Sequence, residues 1–348
     1  MKRLSVSFLL FLSIALFLLF LCSPDTVQRT AHESILFCAS VLIPSLFPGF
    51  VLSDLIIGLS SGKHRNSAGF FYKLFRLPSA CIRCWLIGLL AGFPAAAACA
   101  SQMVLSGEIS KNEGERCLAF TNNPGIVFVV CAVGGGLFGS FSVGIFLWII
   151  QTISAVFIGI LFADPGKRYS TENAVPRAPI ALNRIFPKAV VSSVSAVLNI
   201  CGFVVFFRVL ISVLTSAVPL DSFQTVLSGL LEVTCGISFL KDFSFQSAIF
   251  ASLMLGWSGF SVHFQILNVI SVADLSPKYY FPGKVLQACV SPVITALVYP
   301  LFSNTESKIN LGFSLTLFLF LLFTVIAIRV RKEYLYGKQK LRAGKTTS

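Results

Sequence analysis

Long apolar stretches separated by short polar ones dominate this chain. The apolar runs cover residues 4–22, 35–59, 81–105, 117–137, 141–162, 189–218, 223–240, 247–272, 285–302 and 311–328. A helix needs ~20 apolar residues to cross ~30 Å of hydrocarbon, and most of the runs reach that length. In lipid, only a helix or a closed barrel satisfies its own backbone. The pattern therefore predicts an all-α fold: a polytopic transmembrane helical bundle of roughly eight to ten segments. The first run is long for a signal-peptide core and is followed by no small-residue cleavage site, so it reads as an uncleaved membrane helix.

Some runs are interrupted. Thr121-Asn122-Asn123-Pro124-Gly125 places two amides, a Pro and a Gly inside an apolar stretch. Pro removes a backbone donor and clashes with the preceding turn. Half-helix ends and freed carbonyls then face inward and can hold polar ligands. This run and the short run 223–240 are the candidates for broken or re-entrant helices. Gly92-Phe93-Pro94 and the stretch Gly256-Trp257-Ser258-Gly259 are further breaks, read as counterparts of one another.

A weak internal repeat supports two halves. Val41, Leu42, Phe47 and Phe50 recur as Val197, Leu198, Phe203 and Phe206, an offset of 156. Gly107-Glu108-Ile109-Ser110 recurs in type as Ala273-Asp274-Leu275-Ser276, an offset of 166, as do Gln102 and Asn268. Ser110 with Glu113 forms a capping box, and Pro277 suits a first helical position. The organisation read from this is an N-terminal membrane helix (1–30), a first repeat (31–163), a basic polar linker (164–188), a second repeat (189–329) and a basic tail (330–348).

Composition agrees. Of 348 residues, 55% are hydrophobic and 12% charged, and 35 are Phe. A soluble domain carries about 25% charge. The net charge of +13 sits in the polar stretches 62–76 and 164–188 and in the tail from Arg329. That is the footprint of the positive-inside rule rather than of a nucleic-acid partner. All three stretches belong on the cytoplasmic side. Ten full crossings put both termini there but leave 164–188 outside, so some runs must turn back.

The candidate chemistry is sparse. Glu232 lies in Leu230-Leu231-Glu232-Val233-Thr234 and Arg208 in Phe206-Phe207-Arg208-Val209, both within apolar runs. A charge at mid-bilayer costs ~2.5–3.5 kcal/mol on the lenient scale, so each needs a partner or a wet cavity. Each could be the other's partner in a structural pair, or both could line a solute site. His263 and Gln265, two apart, do not share a helix face unless their segment is unwound. The predicted solute-binding set is Asn122, Asn123, Arg208, Glu232, His263 and Gln265. Cys81 and Cys84 form a CxxC with no second pair, so no metal site is expected. No phosphate loop, zinc motif or nucleophile elbow is present, so the chain reads as no enzyme, without a cofactor. A coupling ion, proton or sodium, is left open, as is a homo-oligomer.

Leu42-Ile43-Pro44-Ser45-Leu46-Phe47-Pro48-Gly49, Gly88-Leu89-Leu90-Ala91-Gly92-Phe93-Pro94, Glu115-Arg116-Cys117-Leu118-Ala119-Phe120-Thr121-Asn122-Asn123, Glu232 with Gly236, and 258–265 follow one another in order. Together they resemble the YlbJ-type sporulation integral membrane proteins, of the nucleoside-recognition or Gate-domain superfamily. The family's Gly-Ala-Lys stretch is replaced here by Ala95-Ala96-Ala97-Ala98, and its Ser residues after the paired Asn by Pro124 and Gly125. The resemblance implies two Gate-like repeats similar to those of concentrative nucleoside transporters. It implies a multi-pass protein of the cell membrane or the membrane around the forespore. It also implies transport of a small anionic or nucleoside-like solute, dipicolinate foremost, with a structural or assembly role in sporulation as the alternative.

The seven basic residues after Ile328 place the tail in the cytoplasm. A Ser348→Cys variant is expected to resist a membrane-impermeant thiol reagent in intact cells and to react after permeabilisation. Ready labelling from outside reverses the orientation.

Overall fold

The computed structural model describes residues 2–60, 68–164, 182–217, 224–240 and 242–302. The linker 165–181, the last apolar run 311–328 and the tail lie outside the described residues. The described residues are helical and contain no strand. Among them, five helical stretches are long and apolar enough to cross a bilayer: Pro24–Ile56, Phe141–Leu161, Ile185–Ser216, Phe245–Ser271 and Tyr280–Phe302. Large apolar side chains such as Phe8, Phe11, Val191, Leu198 and Phe264 are exposed, as surfaces facing lipid require. The chain is a multi-pass membrane protein.

Helix α1 (Lys2–Leu21) precedes α2 (Pro24–Phe37), which a short π-helical turn (Cys38–Leu42) joins to α3 (Ile43–Ser60). Next come α4 (Ala68–Phe75), α5 (Ile82–Leu90), α6 (Ala95–Leu105), α7 (Lys111–Thr121), a π-helical segment (Phe128–Leu137) and α8 (Phe141–Leu161). The second half holds α9 (Leu182–Ala217), α10 (Gln224–Leu231), α11 (Val233–Ser238), α12 (Phe245–Trp257), α13 (Phe260–Ser271) and α14 (Tyr280–Phe302).

The order hairpin, broken helix, crossing helix occurs in each half. Run 81–105, long enough to cross, instead folds back as the hairpin α5–α6. A Cβ added to Gly88 would lie 3.4 Å from that of Ala96. Run 223–240 folds back as α10–α11, with Glu232 at its tip. There the arms touch through backbone, since a Cβ on Gly236 would lie 2.3 Å from the Cα of Gly229. Run 117–137 is broken at 122–125, as the two amides, Pro124 and Gly125 predict. Run 247–272 is broken at Ser258 and Gly259, both with positive φ, and α13 continues from α12 within one span. Gly92-Phe93-Pro94 is thus a hairpin tip, and its counterpart by element order is Glu232 rather than Ser258.

The turns 107–110 and 273–276, read from the sequence as a repeat, fall at different places in the element order, one before the broken helix that α7 begins and one before α14, and they meet at one membrane face. Lys111 pairs with Asp274 at 2.6 Å, and Lys278 with Glu115 at 2.6 Å. Ser276 N–H donates to the Glu115 carboxylate at 2.9 Å, and α14 starts at Tyr280, three residues beyond Pro277. The capping box forms: Ser110 N–H donates to Glu113 at 2.6 Å, and Glu113 N–H to Ser110 Oγ at 3.4 Å. Lys111 holds the exposed Asp274 carboxyl below the usual carboxylate range, and Glu115 raises Lys278 above the usual ammonium range.

The hairpins remove the charge conflict. Arg116 donates to Phe75 O and Phe162 O, so the ends of α4 and α8 share the face of those turns. Thr30 contacts Ser212, and Arg208 lies over Phe37, so α9 runs antiparallel to the α2–α3 span. The ends of α3, α4 and α8 and the start of α9 therefore lie at one face, as the positive-inside rule asks of the basic stretches joined to them.

Hairpin α10–α11 depends on having no side chain at its contact. Gly236→Leu is expected to lower the yield of monodisperse protein severalfold, from a clash worth about 1–3 kcal/mol or more. Gly202→Ala, with nothing within 4 Å of the added carbon, is the neutral control. Size-exclusion profiles of the two variants check this; equal yields contradict the hairpin packing.

Candidate functional site

Each hairpin tip docks on the break that follows it. At the first, Phe93 N–H donates to Asn123 O at 3.1 Å. Gly92, at φ +77°, comes so close that an added Cβ would lie 2.3 Å from Gly125 N, and one on Gly125 would lie 2.7 Å from Leu90 O. Only glycine tolerates both the positive φ and this approach. At the second, Gly259, at φ +84°, faces Val233 N, Leu231 O and Glu232 Cα at 3.1–3.3 Å from an added Cβ. Trp257 Nε1–H donates to Leu230 O at 3.1 Å.

Glu232 is 1% exposed and caps α11. Its carboxylate accepts from Thr234 N–H at 3.0 Å, Cys235 N–H at 2.6 Å and the Thr234 hydroxyl at 2.5 Å. The otherwise unsatisfied amides of a helix start, with the positive end of its dipole, offset the burial of the charge. Arg208 is not its partner. The guanidinium lies 4.2 Å from the centre of the Phe37 ring on the α2 side of α9, and its Nε is buried without a hydrogen bond. The structural Glu–Arg pair open to the sequence does not form.

A narrow cleft separates the two tips. Its walls include Ala91 and Phe93 from the first tip, Gly125 and Phe128 from the first break, Glu232 and Thr234 from the second tip, and Ser261 and Gln265 from α13. Phe50, Ile200 and Val204 close it on the α3–α9 side. The free space, about 20 Å³, holds roughly one water, so the cleft is closed as it stands.

The predicted site residues divide. Glu232 and Gln265 line the cleft. Asn123 is one backbone bond behind it, through Phe93. Asn122 turns the other way, its carbonyl accepting from Lys284 at 3.2 Å. His263 faces α14, its Nδ1 2.7 Å from the Tyr280 hydroxyl. Because α13 stays helical from Phe260, His263 and Gln265 do not converge; the break lies just before them. Arg208 is not among the residues that line the cleft. Among the described residues, three buried side-chain amide oxygens have no hydrogen-bond partner: Asn122 Oδ1, Asn123 Oδ1 and Gln265 Oε1. The orientation of the asparagines is fixed by their nitrogens, which donate to Leu118 O at 3.2 Å and Phe120 O at 2.6 Å. The free groups at the break are therefore acceptors.

Sequence reasoning missed a polar chain beside the first break. Lys284, 1% exposed, donates to Gln287 Oε1 at 2.9 Å. Gln287 Nε2 donates to Gln151 Oε1 at 3.2 Å, and Gln151 Nε2 to Ser252 O at 2.9 Å. Lys284 directly precedes the apolar run 285–302 and so reads as a membrane-edge lysine. A single amide inside run 141–162 was the available signal for Gln151.

The chain is similar to the sporulation integral membrane protein YlbJ of Bacillus subtilis (strain 168). The two are 29% identical over 341 residues, covering 84% of each. No family model matches the chain. No solved structure matches it.

The capping role makes a distinct prediction. Glu232→Gln keeps one acceptor oxygen at the cap but sets its amide N–H against a backbone N–H that the carboxylate accepted from, and is expected to fold with a loss of about 1–3 kcal/mol. Arg208→Gln and Glu232→Gln should combine additively to within about 0.5 kcal/mol in thermal unfolding, as for sites that do not interact. Recovery of Glu232→Gln by the second substitution would restore the ion-pair reading.

Proposed function

We propose that this protein is an integral membrane transporter of a small solute acting in bacterial sporulation, with the solute bound between the two hairpin tips. The carrying observation is the cleft itself: tips from opposite faces meet two helix breaks across space for about one water. A scaffold protein has no need of a buried carboxylate and the orphaned amide oxygen of Gln265 at such a place, and an unpaired polar group costs about 1–3 kcal/mol. The place in sporulation is supported by the likeness to YlbJ.

The lining favours a solute that brings hydrogen-bond donors and an apolar ring. Gln265 Oε1 and the carboxylate of Glu232 accept, and Phe50, Phe93 and Phe128 offer ring contacts. A nucleoside-like solute fits these groups. Dipicolinate brings two carboxylates to a lining that contains no cation, because Arg208 faces Phe37.

The test is uptake into liposomes containing the purified protein. Accumulation of a nucleoside such as uridine is expected, with Gln265→Leu reducing it about tenfold or more at unchanged protein level, the loss of roughly 1.4 kcal/mol of binding. Uptake of dipicolinate alone would move the cargo to the anionic class. Uptake of neither, by protein that is folded and correctly inserted, would leave the structural or assembly role.

A further inference from the structure

We propose that Lys284 is a built-in cation, its ammonium occupying at the broken end of α7 the place that a bound alkali ion would need. The break therefore works without sodium.

Lys284 sits one turn inside α14, where Gly283 rides on α7. A Cβ on Gly283 would lie 2.4 Å from Ala119 O. That contact lets the lysine side chain reach the C-terminal end of the half-helix. Its Nζ donates to Asn122 O at 3.2 Å and to Gln287 Oε1 at 2.9 Å. Among the described residues no carboxylate forms an ion pair with it. An unpaired buried ammonium is costly. Here the compensation is the negative end of the α7 dipole and two carbonyl-type oxygens. Exposed carbonyls at a half-helix end are the means by which broken-helix transporters hold sodium. Asn122 also carries the unpartnered Oδ1. Without the ammonium, the break presents oxygens but no positive charge.

The fixed geometry argues against a chance contact. Gln287 is held by Gln151, and Gln151 by Ser252 O, so the lysine is positioned by α8, α12 and α14 together. The ammonium thus bears on the same residues, 122–125, that dock the first hairpin tip. Its place in a transport cycle rests on the transport reading above; the occupancy of the cation position does not.

The experiment compares thermal unfolding of the purified full-length protein in sodium chloride, potassium chloride and choline chloride at equal ionic strength. The wild type is expected to unfold at the same temperature in all three. Lys284→Ala, which empties the position but keeps its oxygens, is expected to unfold at a higher temperature in sodium than in choline. Selective stabilisation of the wild type by sodium overturns the proposal, and so does a folded Lys284→Ala with no salt preference. Should the variant fail to fold in every salt, the wild-type comparison decides alone. No step measures solute uptake, so failure of the transport reading leaves this result intact.

Discussion

Backbone groups at a helix end have no water to turn to inside a bilayer, and this constraint orders the whole bundle. Two hairpins and two broken helices expose such ends inside the bundle, where each unsatisfied group costs several kcal/mol. Tip is therefore set on break. Phe93 N–H reaches Asn123 O, Trp257 reaches Leu230 O, and Glu232 covers the amides of α11. The approach is possible because Gly92, Gly125 and Gly259 put no carbon between the chains. Where the arms of a hairpin must also touch, Gly229 and Gly236 do the same.

The buried charges obey the same constraint. Glu232 sits at a helix start, on the positive end of the dipole. Arg116 sits at two helix ends, donating to Phe75 O and Phe162 O. Lys284 sits at a third end, on Asn122 O. In each case a charge satisfies groups that the helix leaves open, and those groups replace part of its lost hydration. Glu115, at the membrane face, is met by a side chain, Lys278, and by Ser276 N–H; the half-buried Arg208 lies against the face of Phe37, where a ring quadrupole does the work.

This also explains what could be read from the residues alone. All-helical membrane architecture follows from run length, and the break at 122–125 from two amides, a Pro and a Gly together. The hairpin α5–α6 does not follow, because 25 apolar residues with a Gly-Phe-Pro interruption suit a kinked crossing equally well. What decides it is a tertiary contact, Gly92 on Gly125, between residues 33 positions apart. The charge pattern did contain the answer: a basic linker on the wrong side after ten crossings requires segments that turn back. Pairing Glu232 with Arg208 failed because a sequence displays side-chain charges but hides the partial charge of a helix start. Lys284 was hidden by its place at the rim of a run, since the turn 277–279 delays α14 and carries the lysine inward only in three dimensions.

The two dockings are unequal. The first tip is joined to its break by a backbone hydrogen bond and by approaches that leave 2.3 Å for a side-chain carbon. The break beneath it is held from the other side by Lys284 and the Gln287–Gln151–Ser252 chain. At the second tip the clearance is 3.1 Å, and the joining bond comes from a side chain, Trp257, to Leu230 O. Its carboxylate is satisfied entirely within residues 232–235, so parting from the break leaves Glu232 with its partners. Separating the first pair strands a backbone donor and acceptor in a dry interior, whereas separating the second strands one indole and one carbonyl beside a charge that stays capped. The bond that joins tip to break is thus of the backbone at the first docking and of a side chain at the second, where the hairpin rests instead on α12, a Cβ on Gly229 lying 2.7 Å from Met254.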